Sequence, residues 1–583
     1  MKKMLGGEVV AAMLAKEGVD RVFGIVDGTY LGLYASFKKH GIELFSPRHE
    51  TSAAHMAAAY ARLTGKLGVC MASNGPGVAN VLPGVAVENA EGNRVLLITS
   101  ARRQGIGYPD RGGTYQYFDQ VGVTRAMSKL SVAVPTFERI PEIMRHAFRA
   151  SHHGRPGVVH VDIPESVFNN AFDIAEDFLR EPHEYRRTRA IAPASDEVTR
   201  LADRLRAAER PLIHAGSGVV HARAYEALAL VAKLTGAAVS TSWAARGVID
   251  ERDPHALPTW AMTAIDEART SADFMLVLGS RLGETDWWGR GQHWARPDAL
   301  RTIQVDIDEE MLGVNRPTDA AILADCGEVL RALAEELRER PVDAAKLSTR
   351  EAHLAKLGAT RAAARRELDV LLNDKSAPMA SAHVPHALQA ALPDDAVLVV
   401  DGGNTAVWSQ FFHEVRTPGT LLSTFKLGML GAGVAQAVGA KAALPSRAVV
   451  CILGDGAMGF HLQEVETAVR HGLPVIYVVL CDKQWGMVKL TQQIGLGGMR
   501  DALGVSDQGT INADLHEIAF DEVARAMGAH GERVSAPGEL RAALDRALAS
   551  GKAAVIHVDV DPMAHLFAPG LQAFKEMHQE PVG

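Results

Sequence analysis

The chain has 583 residues, of which 47% are hydrophobic and 22% charged, a balance typical of folded globular proteins and not of disordered or fibrous ones. This length predicts three or four domains, and the net charge of −8 comes without a basic run that would indicate nucleic-acid binding. No window approaches 18 consecutive apolar residues, which argues against a membrane span, and the early charges Glu8, Lys16 and Glu17 argue against a secretion signal. The four cysteines are widely separated and have no metal-ligand spacing, as expected of reduced thiols in a cytoplasmic protein.

The first third of the chain alternates short apolar runs with helical patterns. Strands are predicted at residues 21–26, 44–49, 67–73, 94–100 and 158–164. The alanine-rich stretch TSAAHMAAAYARLT at residues 51–64 predicts a helix between two of these strands. Buried strands that alternate with helices indicate a mostly parallel sheet.

The same pattern recurs twice more along the chain. After a polar linker at residues 181–196, strands are predicted at 211–216, 237–243, 274–280 and 301–308. A charged helical segment at 342–372 then leads to strands at 396–401, 421–425, 448–453, 474–482 and 553–561. The fold class is therefore α/β, with three doubly wound parallel-sheet domains at residues 1–180, 190–340 and 375–560, followed by a tail at 561–583.

One glycine pair lies in the middle domain. Gly216 and Gly218 follow a predicted strand, but the third glycine of a dinucleotide-binding motif is missing because His221 stands there. A tight turn is the favoured interpretation, and a nucleotide or CoA-like ligand on this domain is the alternative.

The third domain carries the strongest chemical signal. The strand AVVCIL ends in Gly454-Asp455-Gly456, and the next strand ends at Asp482. A strand-to-helix turn offers backbone N–H groups to a phosphate, and carboxylate oxygens are ligands that Mg²⁺ prefers. Because the carboxyl ends of parallel strands meet at one edge, the two aspartates predict an Mg²⁺–diphosphate site.

This constellation resembles the thiamine diphosphate (ThDP) enzymes of the acetolactate synthase type, over essentially the whole chain. The resemblance makes the three domains pyrimidine-binding, central and diphosphate-binding. RHETSAAHMAAAYARLTGKLGV (residues 48–69) is similar to the segment with the cofactor-activating glutamate, here Glu50. NGPG, which begins at Asn74, resembles the family's S-G-P-G turn, and Gln116 stands where the family has an active-site glutamine.

The resemblance also assigns the cofactor site. Glu50, Gln116 and Leu430 are the implied catalytic residues: Leu430 would bend ThDP into a V, and Glu50 would share a proton with its aminopyrimidine. Asp455, Asp482 and Gln484 are the implied metal site. The implied cofactor-binding residues are Gly403, Asn404, Thr405, Gly428, Leu430, Gly454, Gly456, Ala457, Met458 and Met487.

Several positions depart from the family pattern. Asp482 replaces the usual asparagine ligand, and Thr491 stands where true acetolactate synthases have a tryptophan at the substrate entrance. The turn GIVDGTY also differs from G-Y-P-G-G, which argues against an ordinary biosynthetic acetolactate synthase. The predicted substrate pocket is Asp27, Gly28, Thr29, Tyr30, Asn74, Gln116 and Trp485.

The resemblance implies a C–C bond lyase or carboligase that acts on a 2-oxo acid or 2-hydroxy ketone through a carbanion/enamine at the thiazolium C2. One alternative is a 2-hydroxyacyl-CoA lyase or oxalyl-CoA decarboxylase, since VDIDEEMLGVNRPTDAAILAD (residues 305–325) resembles those enzymes equally. Another is a catalytically silent, ThDP-binding regulatory subunit. Many relatives carry FAD on the central domain, but GETDWWGRGQ (residues 283–292) departs from their sequence and disfavours it. The implied assembly is a homodimer or homotetramer with active sites at subunit interfaces.

Overall fold

The first domain is built on a six-stranded parallel sheet. The computed structural model describes residues 1–106, 112–505 and 509–577. The sheet order is β3-β2-β4-β5-β7-β6, and β1 and β8 form a separate antiparallel pair. The strands are β1 (Lys2–Leu5), β2 (Arg21–Gly24), β3 (Glu43–Phe45), β4 (Gly68–Ala72), β5 (Val95–Ala101), β6 (Leu130–Ala133), β7 (Val158–Pro164) and β8 (Ala171–Ile174). The helices are α1 (Gly6–Lys16), α2 (Leu31–Phe37), α3 (Glu50–Thr64), α4 (Pro76–Glu91), α5 (Gln120–Arg125), α6 (Ile140–His152) and α7 (Glu165–Asn169).

The central domain has a five-stranded parallel sheet in the order β10-β9-β11-β12-β13. Its strands are β9 (Pro211–Ala215), β10 (Ala238–Thr241), β11 (Phe274–Leu278), β12 (Arg301–Asp306) and β13 (Ala320–Leu323). Its helices are α8 (Ser195–Ala207), α9 (Ser217–Ala222), α10 (Tyr225–Thr235), α11 (Met262–Ser271) and α12 (Cys326–Glu339). The 26-residue helix α13 (Ala344–Asp369) then leads to the third domain, as the charged segment predicted.

The third domain repeats the strand order of the first, as β15-β14-β16-β17-β19-β18. Its strands are β14 (Val397–Val400), β15 (Leu421–Leu422), β16 (Val449–Gly454), β17 (Val475–Cys481), β18 (His530–Val534) and β19 (Ala554–Asp559). Its helices are α14 (His383–Ala391), α15 (Asn404–Phe412), α16 (Ala432–Ala443), α17 (Asp455–His461), α18 (Glu464–Arg470), α19 (Gly486–Leu503), α20 (Phe520–Ala526) and α21 (Pro537–Ser550). The tail adds α22 (Pro562–Leu566) and α23 (Leu571–Glu576). The predicted tail's residues 578–583 lie outside the described residues.

The predicted three-domain α/β fold is confirmed. Parallel strands from all three predicted regions form three sheets, each with helices around it. The sequence prediction missed the short strands β1, β6, β8, β13 and β18, which lie at or beyond sheet edges and have partly exposed residues that blur the apolar pattern. Strand β15 is shorter than predicted because the chain turns at Thr424, whose carbonyl accepts the Gly428 N–H at 2.7 Å.

The first and third domains pack together through two small-residue helices. Helix α3 is alanine-rich and lies against α16, where a side chain on Gly439 would come within 2.3 Å of the Met56 carbonyl oxygen. Helix α3 begins where the His49 side chain accepts the Thr51 N–H, and it ends at Gly65 with φ of 76°. This packing fixes the start of α3, and Glu50 with it, against the third domain. None of the described helices has the length and apolar character needed to cross a membrane.

Candidate active site

Three strand-to-helix turns meet at the carboxyl edge of the third sheet. Strands β14, β16 and β17 are neighbours in parallel register. Asn404 starts α15 after the first of them, Asp455 starts α17 after the second, and Asp482 follows the third. The spacing in the sequence therefore brings the two aspartates to one edge, as a doubly wound sheet requires.

The two aspartates form an acidic pair. The Asp455 carboxylate accepts the Gly456 N–H at 2.7 Å and the Lys483 N–H at 2.8 Å. Burial raises the pKa of Asp482 to about 7, and the neighbouring charge of Asp455 adds to the shift. Burial also raises the pKa of Asp455. Two buried carboxylates side by side are unfavourable without a cation, so this arrangement suits a divalent metal ion.

Unpartnered polar atoms at the same edge fit a polar ligand. Both amide atoms of Asn404 and the Oδ2 atom of Asp482 are buried without a hydrogen-bond partner. They border a cavity of about 450 Å³. Buried polar atoms are normally satisfied; a diphosphate with its cation would satisfy the Asn404 amide and bind the Asp482 carboxylate. Among the described residues no cluster of three or more His, Cys, Asp or Glu side chains could hold a metal ion by itself.

Most of the predicted cofactor residues line this cavity. They are Gly403, Asn404, Thr405, Gly428, Leu430, Gly454, Gly456, Ala457 and Met487. The predicted metal-site residues Asp455, Asp482 and Gln484 and the predicted substrate residue Trp485 line it too. Met458 is different: its side chain is fully buried in the core and does not line the cavity, because α17 turns it away from the sheet edge. The Gln484 amide nitrogen donates to the Pro562 carbonyl at 2.6 Å, so the side chain is held by the tail.

The predicted substrate residues of the first domain form a hydrogen-bonded network at the carboxyl edge of their own sheet. The Asp27 carboxylate accepts the Thr29 N–H and hydroxyl at 2.9 and 2.6 Å. The Thr29 hydroxyl lies 2.6 Å from the Ser100 hydroxyl, which also accepts the Asn74 N–H at 2.9 Å. Ser100 therefore joins the ends of β2, β4 and β5.

Gln116 is held in an unusual backbone conformation. Its φ is 53°, and its carbonyl accepts the Asn74 side-chain amide at 3.0 Å. A side chain at Gly75, where φ is 67°, would come within 2.7 Å of the Gln116 carbonyl oxygen. The glycine in the N-G-P-G turn thus allows this close approach. Left-handed non-glycine residues concentrate at functional sites.

Three other predicted residues of the first domain lie outside this network. Tyr30 is in the core, where its hydroxyl donates to the Ile25 carbonyl. Gly28 lies exposed beside Asp27. Glu50 is half-buried, and the Asn80 amide donates to its Oε2 atom at 3.1 Å.

Within one chain, the two edges do not meet. No described residue of the first domain lines the third-domain cavity, although Trp243 of the central domain and His565 of the tail do. The start of α3 contacts the far end of α17, where the Ser52 hydroxyl lies 3.4 Å from His461. Asp455 begins the seven-residue α17, so about 10 Å of helix separates it from that contact. Glu50 and Asp455 of one chain are therefore at opposite ends of this helix.

Several residues at these sites were missed by the sequence analysis. Ser100, Gln120 and Asp162 connect the first-domain network, and Trp243 and His565 line the third-domain cavity. Polar residues near the carboxyl end of an apolar strand were the available signal for Ser100 and Asp162. His565 had no signal, because only the fold brings the tail back to the sheet edge.

A second cavity, of about 560 Å³, lies beside the central sheet. Its lining includes the cations Arg155, Arg281 and Lys426 and the carboxylates Asp306 and Asp325. At Gly216 the turn after β9 packs closely against the end of β11, since a side chain on Gly216 would come within 2.3 Å of the Gly279 carbonyl oxygen. The turn interpretation of this glycine pair thus fits the structure, and the turn also borders the cavity.

Comparison with protein families assigns the three domains. Residues 4–123 match "Thiamine pyrophosphate enzyme, N-terminal TPP binding domain", residues 198–333 match the central domain of the same enzymes, and residues 401–558 match their C-terminal TPP binding domain. The three matches follow the order in which the three sheets occur.

Comparison with individual proteins gives relatives along the whole chain. An "Acetolactate synthase" of Mycobacterium bovis is 30% identical over 499 residues, which cover 85% of this chain and 78% of that protein. The "Acetolactate synthase isozyme 2 large subunit" of Escherichia coli K12 is 29% identical and covers 97% of both chains. A "Probable acetolactate synthase large subunit" of Methanococcus aeolicus is 26% identical over 97% of this chain and 93% of its own.

Proposed function

Because the chain belongs to the ThDP-dependent, acetolactate synthase-like enzymes, we propose that it cleaves or forms a C–C bond of a 2-oxo acid or 2-hydroxy ketone with Mg²⁺ as second cofactor. The observation that carries the metal is the acidic pair Asp455–Asp482 beside unpartnered atoms of Asn404 at the cavity.

The third domain would hold the diphosphate end of the cofactor. The N–H groups at the start of α15 and α17 favour phosphate oxygens, and the cation would sit between these and the two carboxylates. Asp455 is already oriented by the Lys483 and Gly456 N–H groups, which leaves little rearrangement for binding. Gly428 and Leu430 lie on the same cavity and would contact the ring end.

The first domain would supply the proton-transfer group. When bound, ThDP supplies a nucleophilic carbon and an electron sink for C–C cleavage. Glu50 would hold the proton that the aminopyrimidine end exchanges, with the Asn80 amide fixing its Oε2 atom. Thr29, Asn74 and Gln116 would orient the substrate from the same edge.

We infer further that the active site is shared between two chains. The support is the separation of Glu50 from Asp455 within one chain and the absence of described first-domain residues from the cofactor cavity. A second copy that places its first domain over this cavity would complete the site, so the functional unit would be a homodimer, or a homotetramer made of two such dimers.

The central cavity keeps the CoA alternative open. Four cations and five carboxylates line this cavity of about 560 Å³. The cations suit phosphate groups and the carboxylates suit ribose hydroxyls, as in a CoA thioester or a nucleotide. FAD on this domain stays a prediction of the resemblance, and a visible absorption spectrum of the purified protein tests it.

The test of the proposed function is a substrate screen. The purified chain, loaded with ThDP and Mg²⁺, is offered 2-oxo acids singly and in pairs, and separately acyl-CoA thioesters, with products identified by mass spectrometry. Turnover of free 2-oxo acids supports the leading proposal, and turnover confined to CoA thioesters supports the alternative. Tight ThDP binding with no turnover of either class would contradict both.

A further inference from the structure

The tail after the last strand is built into the wall of the cofactor cavity. Helix α22 is capped by Asp561, whose carboxylate accepts the Met563 and Ala564 N–H groups at 2.8 and 3.0 Å. Trp408 donates its indole N–H to the His565 carbonyl at 3.1 Å, which adds to the bond from Gln484 to Pro562. These bonds come from two elements of the third domain and fix the tail backbone where His565 reaches the cavity.

The ring of His565 is buried between a serine hydroxyl and Asp482. The residue is only 3% exposed. Its Nδ1 atom lies 2.7 Å from the buried Ser381 hydroxyl. Among the described residues only His565 bonds that hydroxyl, and in the tautomer in which the hydroxyl donates to Nδ1 the ring proton is on Nε2.

That Nε2–H group faces the candidate metal ligand. Nε2 lies 3.9 Å from the Oδ2 atom of Asp482, and this oxygen is buried without a partner. A shift of about 1 Å would bring the two atoms to hydrogen-bond distance. Without this donor, Asp482 Oδ2 would carry an unsatisfied charge in a buried site.

We propose that His565 is a positioning residue for Asp482: its Nε2–H donates to Oδ2, which directs Oδ1 to the cation. The role rests on the proposed ThDP–Mg²⁺ function. Hydrogen bonds to metal-ligating carboxylates orient the ligand, and their loss typically costs 10–100-fold in metal affinity. Ser381 supports the arrangement because it holds the proton on Nε2.

The experiment measures metal affinity and not turnover. Mn²⁺ is titrated into the full chain at saturating ThDP and followed by electron paramagnetic resonance, and ThDP retention is measured by equilibrium dialysis. His565→Phe should weaken Mn²⁺ binding about 10–100-fold. His565→Gln keeps an N–H donor near the Nε2 position and should stay within a few-fold of the parent. His557→Phe is the matched control: His557 is also buried beside an aspartate, 3.3 Å from Asp559, but does not line the cofactor cavity.

Each outcome has one meaning. A His565→Phe protein with parental Mn²⁺ affinity overturns the role of His565 and leaves the proposed function intact. Equal losses in the Phe and Gln variants also overturn it, since packing of the tail and not the donor would then matter. A parent chain that retains neither ThDP nor Mn²⁺ overturns the proposed function and the positioning role together.

Discussion

The first and third sheets have the same strand order but differ in how many polar side chains at their carboxyl edges have hydrogen-bond partners. The first sheet has the order β3-β2-β4-β5-β7-β6 and the third has the equivalent order β15-β14-β16-β17-β19-β18. At the first edge, Ser100 is hydrogen-bonded through its hydroxyl to the Thr29 hydroxyl and through its carbonyl to the Gln120 side-chain amide. At the third edge, Asn404 and Asp482 have buried polar atoms without partners.

The difference shows what each edge is prepared to do. At the first edge Asn74 Oδ1 is also buried without a partner, but Thr29, Ser100 and Gln120 are bonded. Such a network holds most of its side chains in fixed positions before any ligand arrives, which suits orienting a substrate. An unsatisfied acidic edge is unfavourable alone and gains its partners from a ligand, which suits holding a charged cofactor. With the proposed function, one topology would thus take two roles through the side chains at the ends of its strands.

The most severe test removes an acid from the unsatisfied edge. We expect Asp455→Ala to abolish ThDP retention, because Asp482 and the diphosphate would face each other without full neutralisation by the metal. Asp482→Asn should be tolerated, since an amide oxygen can still bind the cation. Equilibrium dialysis of ThDP with Mg²⁺ measures both, and unchanged retention in Asp455→Ala would refute the metal assignment.

The corresponding test of the first domain concerns Glu50. Glu50→Gln keeps the volume and the bond from Asn80 but removes the acid, so cofactor activation and turnover should slow by roughly 10²–10⁴-fold. ThDP occupancy and the thermal midpoint should remain close to those of the parent. Hydrogen exchange at C2 of the bound cofactor measures activation directly; exchange as fast as in the parent would show that another group activates it.

The proposal that the two edges belong to different chains predicts complementation. Glu50→Gln and Asp455→Ala chains are each inactive, but a hybrid dimer would have one intact site of two. After subunit exchange of equal amounts, about a quarter of the parental activity should return. Native mass spectrometry verifies the exchange. No recovery in verified hybrids would mean that each chain completes its own site.

Much of the third-domain site could be predicted from the sequence because its chemistry is local. Gly454-Asp455-Gly456 is one strand-to-helix turn, and Asp482 ends the next strand, so a parallel sheet brings them together without further information. The three domains followed from the repeated alternation of apolar strands and helices for the same reason.

The remaining residues depend on contacts distant in sequence. His565 bonds Ser381 across 184 residues of sequence, and Asp162 bonds Thr99 and Gln120 across 63 and 42 residues. Tyr30 was assigned to the pocket because of its neighbours in sequence, whereas its ring packs inward against Phe168. A local pattern does not encode which side of a turn faces the core.

The smallest expected effect concerns Asp162, whose ionisation reports how well water is excluded from the carboxyl edge of the first sheet. Asp162 is buried, and burial raises the pKa of its carboxyl to about 7, with the charge of Asp119 adding to the shift and the bonds from Thr99 and Gln120 opposing it. The pKa of His160, which also bonds Thr99, is lowered to about 3 by burial, so this ring stays neutral above pH 4. Because the pKa of Asp162 is higher in the folded chain than in the unfolded one, its contribution to stability is fully present near pH 4 and is lost as the pH rises through about 7.

Asp162→Asn removes this titration while its amide oxygen can still accept both hydrogen bonds. The free energy of unfolding of the variant minus that of the parent should therefore be larger at pH 8 than at pH 5, by an amount on the order of 1–3 kcal/mol. Thermal midpoints of parent and variant at both pH values measure the gain, and the pairwise comparison cancels other buried acids such as Glu91, whose pKa is also raised to about 7. Thr99→Val serves as the control: it removes one bond to Asp162 without removing the carboxyl, so its midpoint should keep the parental fall with pH. If the Asn variant shows the same fall as the parent, Asp162 is ionised throughout, and the first edge is more open to water than its hydrogen bonds indicate.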